Sequence, residues 1–123
     1  METVNHEYYI DLEIAKLIEK VGFDWKTFGY YNKLRFFHRA IPQHGETPAP
    51  TLDLVQRWLR EVKGYIVLVN YNEFLKSFYY SICYTKNTNR YIDDRDDCRN
   101  TSFEEAQKAG IKKALKLLLE KGE

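Results

Sequence analysis

The stretch PTLDLVQRWLREVKGYIVLV, residues 50–69, decides the fold. Thr51 offers a hydroxyl to cap a helix, and Asp53 sits near the positive end of the helix dipole. Leu52, Val55, Trp58, Leu59 and Val62 recur at helical spacing as one apolar stripe, while Asp53, Gln56, Arg57, Arg60 and Lys63 face away. Gly64 supplies the left-handed residue that closes a helix at little steric cost. Tyr65 to Val69 then run without a polar break into a strand. The stretch therefore predicts a helix over 51–63 handed directly into a strand over 65–71.

Toward the C-terminus, the strand is apolar on both sides, with Tyr65, Val67 and Val69 on one and Ile66 and Leu68 on the other. Ser77 to Thr85 alternates Phe78, Tyr80, Ile82 and Tyr84 and predicts its hairpin partner. Both faces of such a ribbon need cover. The helix over 51–63 and the last helix suit one face; the N-terminal helix and hairpin, or a second copy of the chain, suit the other. Residues 86–100 read as a polar loop with a short edge strand around Tyr91 and Ile92. Thr101 with Glu104, or Ser102 with Glu105, has capping-box spacing. Phe103, Ala106, Gly110, Ile111, Ala114, Leu115 and Leu118 then form the buried stripe of a long final helix.

Toward the N-terminus, Asp11 precedes the helical spacing Leu12, Ile14, Ala15, Leu17, Ile18 and Val21, which ends at Gly22. Two aromatic-rich runs flank Asn32-Lys33 and predict a hairpin with strands over 27–31 and 34–38. Residues 39–50 hold all three prolines and read as a loop. The fold class expected is α+β, in a single domain over 1–123. An antiparallel sheet from the two hairpins is packed by three helices, with an α-β-β-(β)-α core over 49–123 and a helix-hairpin extension over 1–48.

Composition narrows the function classes. The chain has 123 residues, enough for one sizeable core. Its hydrophobic fraction of 44%, charged fraction of 30% and net charge of +1 imply neither disorder nor a polyanion-seeking surface. Aromatic content reaches 15%, with 10 Tyr and 7 Phe, residues that suit half-buried strands and partner surfaces. Cys83 and Cys98 read as free thiols and the chain as cytoplasmic, with no window apolar enough to span a membrane.

The pattern Pro50-Thr51, Trp58 to Glu61, an aromatic hairpin, Glu105-Ala106, Ala109 to Ile111 and Ala114-Leu115 resembles a group of small uncharacterised proteins of Bacteroides-type bacteria and their prophages. The likeness extends to the N-terminal DLEIAKLIEKVGFD and implies a setting in a mobile element, but no activity. The order helix, three strands, helix over 51–121 also resembles double-stranded RNA-binding domains, which grip phosphates with lysines at the start of the last helix. Phe103, Glu104 and Gln107 stand at those positions here, which argues against that role.

Asp93, Asp94, Asp96 and Asp97 invite comparison with a calcium loop, yet Arg99 falls where a glycine must turn the chain; a solvated, charge-mixed loop is the simpler reading. Residues 25–45 lack acids and interleave Lys26, Lys33, Arg35, His38, Arg39 and His44 with aromatic rings, the one patch with the chemistry of single-stranded nucleic-acid binding. Lys33, Arg35, His38 and Arg39 are its candidate contacts. The plainer reading is a hairpin with rings inward and cations in water. Lys108, Lys112 and Lys116 read as the wet face of the last helix, and no nucleophile elbow, H-E-x-x-H, phosphate loop or CxxC is present. The expectation is thus a non-catalytic interaction module with no cofactor. It recognises a protein partner, or pairs as a homodimer, through tyrosine-rich strand surface or a strand edge, with Tyr71 and Tyr79 as candidate interface aromatics. Nucleic-acid binding and an enzyme of unknown type are the alternatives.

Overall fold

The computed structural model describes residues 9–25, 29–31, 37–39, 47–85, 90–92 and 100–121. The chain runs α1 (Leu12–Lys20), β1 (Tyr30–Tyr31), β2 (Phe37–His38), β3 (Thr47–Pro48), α2 (Leu52–Trp58), a π-helical turn (Leu59–Lys63), β4 (Tyr65–Asn72), β5 (Ser77–Tyr84), β6 (Arg90–Ile92) and α3 (Phe103–Lys121). The fold is α+β, with an antiparallel sheet packed against helices.

Helix ends follow local chemistry. The Asp11 carboxylate accepts from the Ile14 amide at 2.9 Å, and the Thr51 hydroxyl accepts from the Leu54 amide at 3.2 Å. Gly22 and Gly64 adopt positive φ where α1 and the π turn stop. Of the two capping spacings at α3, Ser102 with Glu105 is used: the Ser102 hydroxyl accepts from the Glu105 amide, and the Glu105 carboxylate accepts from the amide and hydroxyl of Thr101.

The two predicted hairpins do not join into one sheet. They form separate three-stranded antiparallel sheets, ordered β2-β1-β3 and β4-β5-β6. Of the first hairpin's expected strands, residues 27–28 and 34–36 lie outside the described residues. Tyr31 pairs with Phe37, a register different from the Tyr31–Leu34 pairing that a two-residue Asn32-Lys33 turn would give. Part of the predicted 39–50 loop is strand β3, which pairs with β1. Pro48 fits there because Ala49 bonds Gly29 across the ladder at 2.8 Å, which leaves position 48 facing outward, where no N–H is needed.

The core unites α1, α2, α3 and one face of the larger sheet. Ile14, Ile18, Leu52, Val55, Trp58, Leu59, Tyr65, Val67, Ile82, Ile111, Leu115 and Leu118 are all buried. Trp58 meets the edge of Phe23 at 5.2 Å, as its place on the stripe predicts. Val62 and Phe103, expected in the core, are exposed. For Val62 the reason is the π turn, whose wider winding rotates the stripe away from the interior after Leu59. Phe103 sits at the first position of α3, beyond the last core layer. The N-terminal helix does not cover the second face of the sheet; α1 packs on α3 and β3.

Candidate interaction surface

Cross-strand register sorts the larger sheet into two faces. Tyr65, Val67, Val69 and Tyr71 stand opposite Tyr84, Ile82, Tyr80 and Phe78 on the helix-covered face. Ile66, Leu68, Asn70 and Asn72 stand opposite Cys83, Ser81, Tyr79 and Ser77 on the other. Leu68 is 46% exposed on that second face. Tyr71 and Tyr79 therefore lie on opposite faces, so the two candidate aromatics do not form one surface. Cys83 is a free, half-buried thiol.

Beyond the helices the β4–β5 hairpin ends in an apolar tip. Tyr71 is 51% exposed, Phe74 97% and Leu75 63%. A fixed turn holds this tip out: the Asn72 side-chain oxygen accepts from the amides of both Phe74 and Leu75 at 3.0 Å, and Lys76 takes a positive φ of 50°. Behind the tip a chain of rings leads to α3, with Tyr71 5.0 Å from Phe78 and Phe78 6.4 Å from the exposed Phe103. Sequence reading missed Phe74 and Leu75, because two apolar residues between polar neighbours read as turn filler.

The outer edge of β4 continues this surface. Gly64 and Thr85 form a hydrogen-bonded pair at 2.8 Å, so alternation turns the backbone groups of Val67, Val69 and Tyr71 away from β5. At Val67 the carbonyl accepts from the Gln56 amide at 2.7 Å. Asp53 is exposed as expected and Gln56 is half-buried; both accept from the buried Gln107 amide at 2.7 Å, a polar tie between α2 and α3. Past Gln56, no strand among the described residues pairs with β4 at Val69 and Tyr71. A cavity of about 290 Å3 lies close by, lined by Thr51, Leu52, Asp53, Phe103, Glu104 and Gln107.

The basic-aromatic segment is placed only in part. Lys33 and Arg35 lie outside the described residues, His38 pairs with Tyr30 in β2, and Arg39 is exposed just after it. Of its described rings, Tyr31 and Phe37 are engaged inward: the Tyr31 hydroxyl donates to the Ile10 carbonyl at 2.9 Å, and Phe37 packs on Tyr9 and Tyr31. Burial and the nearby Asp11 carboxylate hold the Tyr31 phenol above its usual range. The acidic run Asp93 to Asp97 and Cys98 lie outside the described residues. Among the described residues no three His, Cys, Asp or Glu side chains gather at metal-binding distance, and no helix is long and apolar enough to cross a membrane.

No known protein family, curated protein or solved structure matches this chain.

Proposed function

We propose that this chain is a non-catalytic interaction module that recognises a protein through the end and outer edge of the β4–β5 hairpin. The observation that carries this reading is Phe74, 97% exposed on a turn locked by Asn72, with the exposed Leu75 beside it and the exposed Tyr71 near the end of β4. A large apolar ring held in water on a fixed turn gains from association and contributes nothing to the core. The free thiol of Cys83 suits a reducing, cytoplasmic compartment, and the resemblance to small prophage proteins adds a mobile-element setting. For the basic-aromatic segment, the inward engagement of Tyr31 and Phe37 favours a structural role over base stacking.

The test is affinity capture from native host cells with tagged wild type and a Phe74→Asp, Leu75→Asp variant. Loss of a captured protein, or of self-association, in a variant with unchanged melting temperature supports the reading. Capture and self-association indifferent to both substitutions reject it.

A further inference from the structure

We infer that the partner seated on the outer edge of β4 is a second copy of this chain, joined by an antiparallel β4–β4 ladder whose two-fold axis passes beside Asn70. The inference deepens the interaction reading above and rests on it. Exposed sheet edges in soluble proteins normally carry a proline, a bulge or a charge that blocks pairing. Strand β3, at an edge of the smaller sheet, carries Pro48. From Tyr65 to Asn72 strand β4 carries none of these, and its register with β5 is unbroken. An antiparallel edge is also its own complement, so a copy of the same strand is an occupant that fits without further specification.

The register follows from which groups are available. Gln56 occupies the Val67 carbonyl, and the turn begins after Asn72, so Val69 and Tyr71 are the outward-facing positions left. Centring the axis on residue 70 sets Val69 of each copy against Tyr71 of the other and uses the N–H and C=O of both residues. Centring on 69 or 71 pairs one of these positions with itself and sends the other to Gln56-blocked Val67 or into the turn.

The same register brings each hairpin tip to the level of residues 65–67 of the other copy. Glu73 of one copy then lies level with Val67 of the other, whose carbonyl Gln56 already holds. Tyr71 gains Val69 of the second copy as a same-face neighbour. At about 150–250 Å2 per aromatic side chain, the exposed fractions of Tyr71 and Phe74, with Leu68 and Leu75, present on the order of 500 Å2 of apolar surface per chain. Two copies together present about 1,000 Å2, the lower limit for a specific interface, to which the main-chain ladder adds.

Light scattering of the full chain at about 100 µM is expected to give twice the 14.7 kDa chain mass. Register is read by single cysteines placed in a Cys83→Ser, Cys98→Ser background. In a non-hydrogen-bonded antiparallel pair the Cα atoms lie about 4.5 Å apart, within disulfide reach. Asn70→Cys should therefore oxidise to a covalent dimer. Leu68→Cys and Asn72→Cys should not, since each then lies more than about 13 Å from its own counterpart. Val69→Pro, which removes an outward N–H that bonds nothing in β5, should give a folded monomer. A 14.7 kDa species at that concentration, or cross-linking as efficient at 68 and 72 as at 70, overturns the inference. A monomeric chain whose capture of a different protein still depends on Phe74 and Leu75 removes the second copy while leaving the interaction reading standing.

Discussion

Gly110 of α3 lies so close to Val67 of β4 that a Cβ on the glycine would stand 2.5 Å from Val67 Cγ1 and 3.0 Å from Tyr80 Cβ. This is where the last helix crosses the hairpin, and the missing side chain sets how closely the two layers approach. Glycine inside a helix costs up to about 1 kcal/mol relative to alanine, so Gly110→Ala tests which term is larger. Overpacking costs about 1–3 kcal/mol and should win, giving a net loss of stability in urea denaturation. Adding Val67→Ala should then cost less than it does in the wild type, a coupling that a double-mutant cycle reads directly.

Trp58 fills the space between α2 and Phe23 and is buried. Trp58→Ala should destabilise the chain by about 3–5 kcal/mol and leave it unfolded or aggregated at growth temperature. Near-wild-type thermal melting of this variant would contradict the assigned core.

The Gln107 amide donates both its hydrogens, one to Asp53 and one to Gln56. Gln107→Leu keeps the bulk of the side chain and strips both bonds from their acceptors, for an expected loss of about 1–3 kcal/mol by chemical denaturation. Since Gln56 also reaches the Val67 carbonyl, hydrogen exchange near the edge of β4 should quicken in the same variant.

Two surface carboxylates contribute to the acid limb. Lys112, bonded to Glu13 at 2.8 Å, lowers the Glu13 pKa, and the amide and hydroxyl of Thr101 lower that of Glu105. A folded-state pKa below the unfolded one gives stability that is present above about pH 4.5 and lost as pH falls through the folded value. Melting temperature should therefore decline below that pH, and less steeply in Glu13→Gln, Glu105→Gln.

Tyr31 works in the opposite sense. Its folded pKa is raised by burial and by Asp11, so its contribution is full below about pH 10 and fades as pH rises through the folded value. Tyr31→Phe should remove part of the alkaline loss of stability. It also breaks the bond to the Ile10 carbonyl, at a cost of about 1 kcal/mol near neutral pH.

The parts of the fold legible in the sequence were those fixed by local chemistry. Asp11, Thr51 and Ser102 cap the helices that they precede, and Gly22 and Gly64 end theirs. Trp58 falls on the buried side of a stripe that any helix of that spacing shows. Features set by meetings between distant segments were not legible. The Tyr31–Phe37 register and the pairing of Thr47–Pro48 with β1 depend on contacts that no single window contains. Gln56 looks like a solvent-facing residue, and Asp53 like an unattached one, until Gln107, more than fifty positions away, is brought against them. Of the candidate surface, Tyr71 was found from strand composition. Phe74 was not, because exposure at a hairpin tip leaves no periodic trace.

The π turn between Trp58 and Gly64 has a consequence for how the chain tolerates length change. A π winding closes its hydrogen bonds over one residue more than an α winding, so 59–63 accommodates a surplus residue at the junction of helix and strand. Excising Val62, whose side chain faces water, would let the helix relax to ordinary pitch and still deliver Gly64 to the start of β4. The midpoint of this chain is thus a place where a single-codon deletion is absorbed, whereas the same deletion inside β4 would turn every later side chain of that strand to the opposite face.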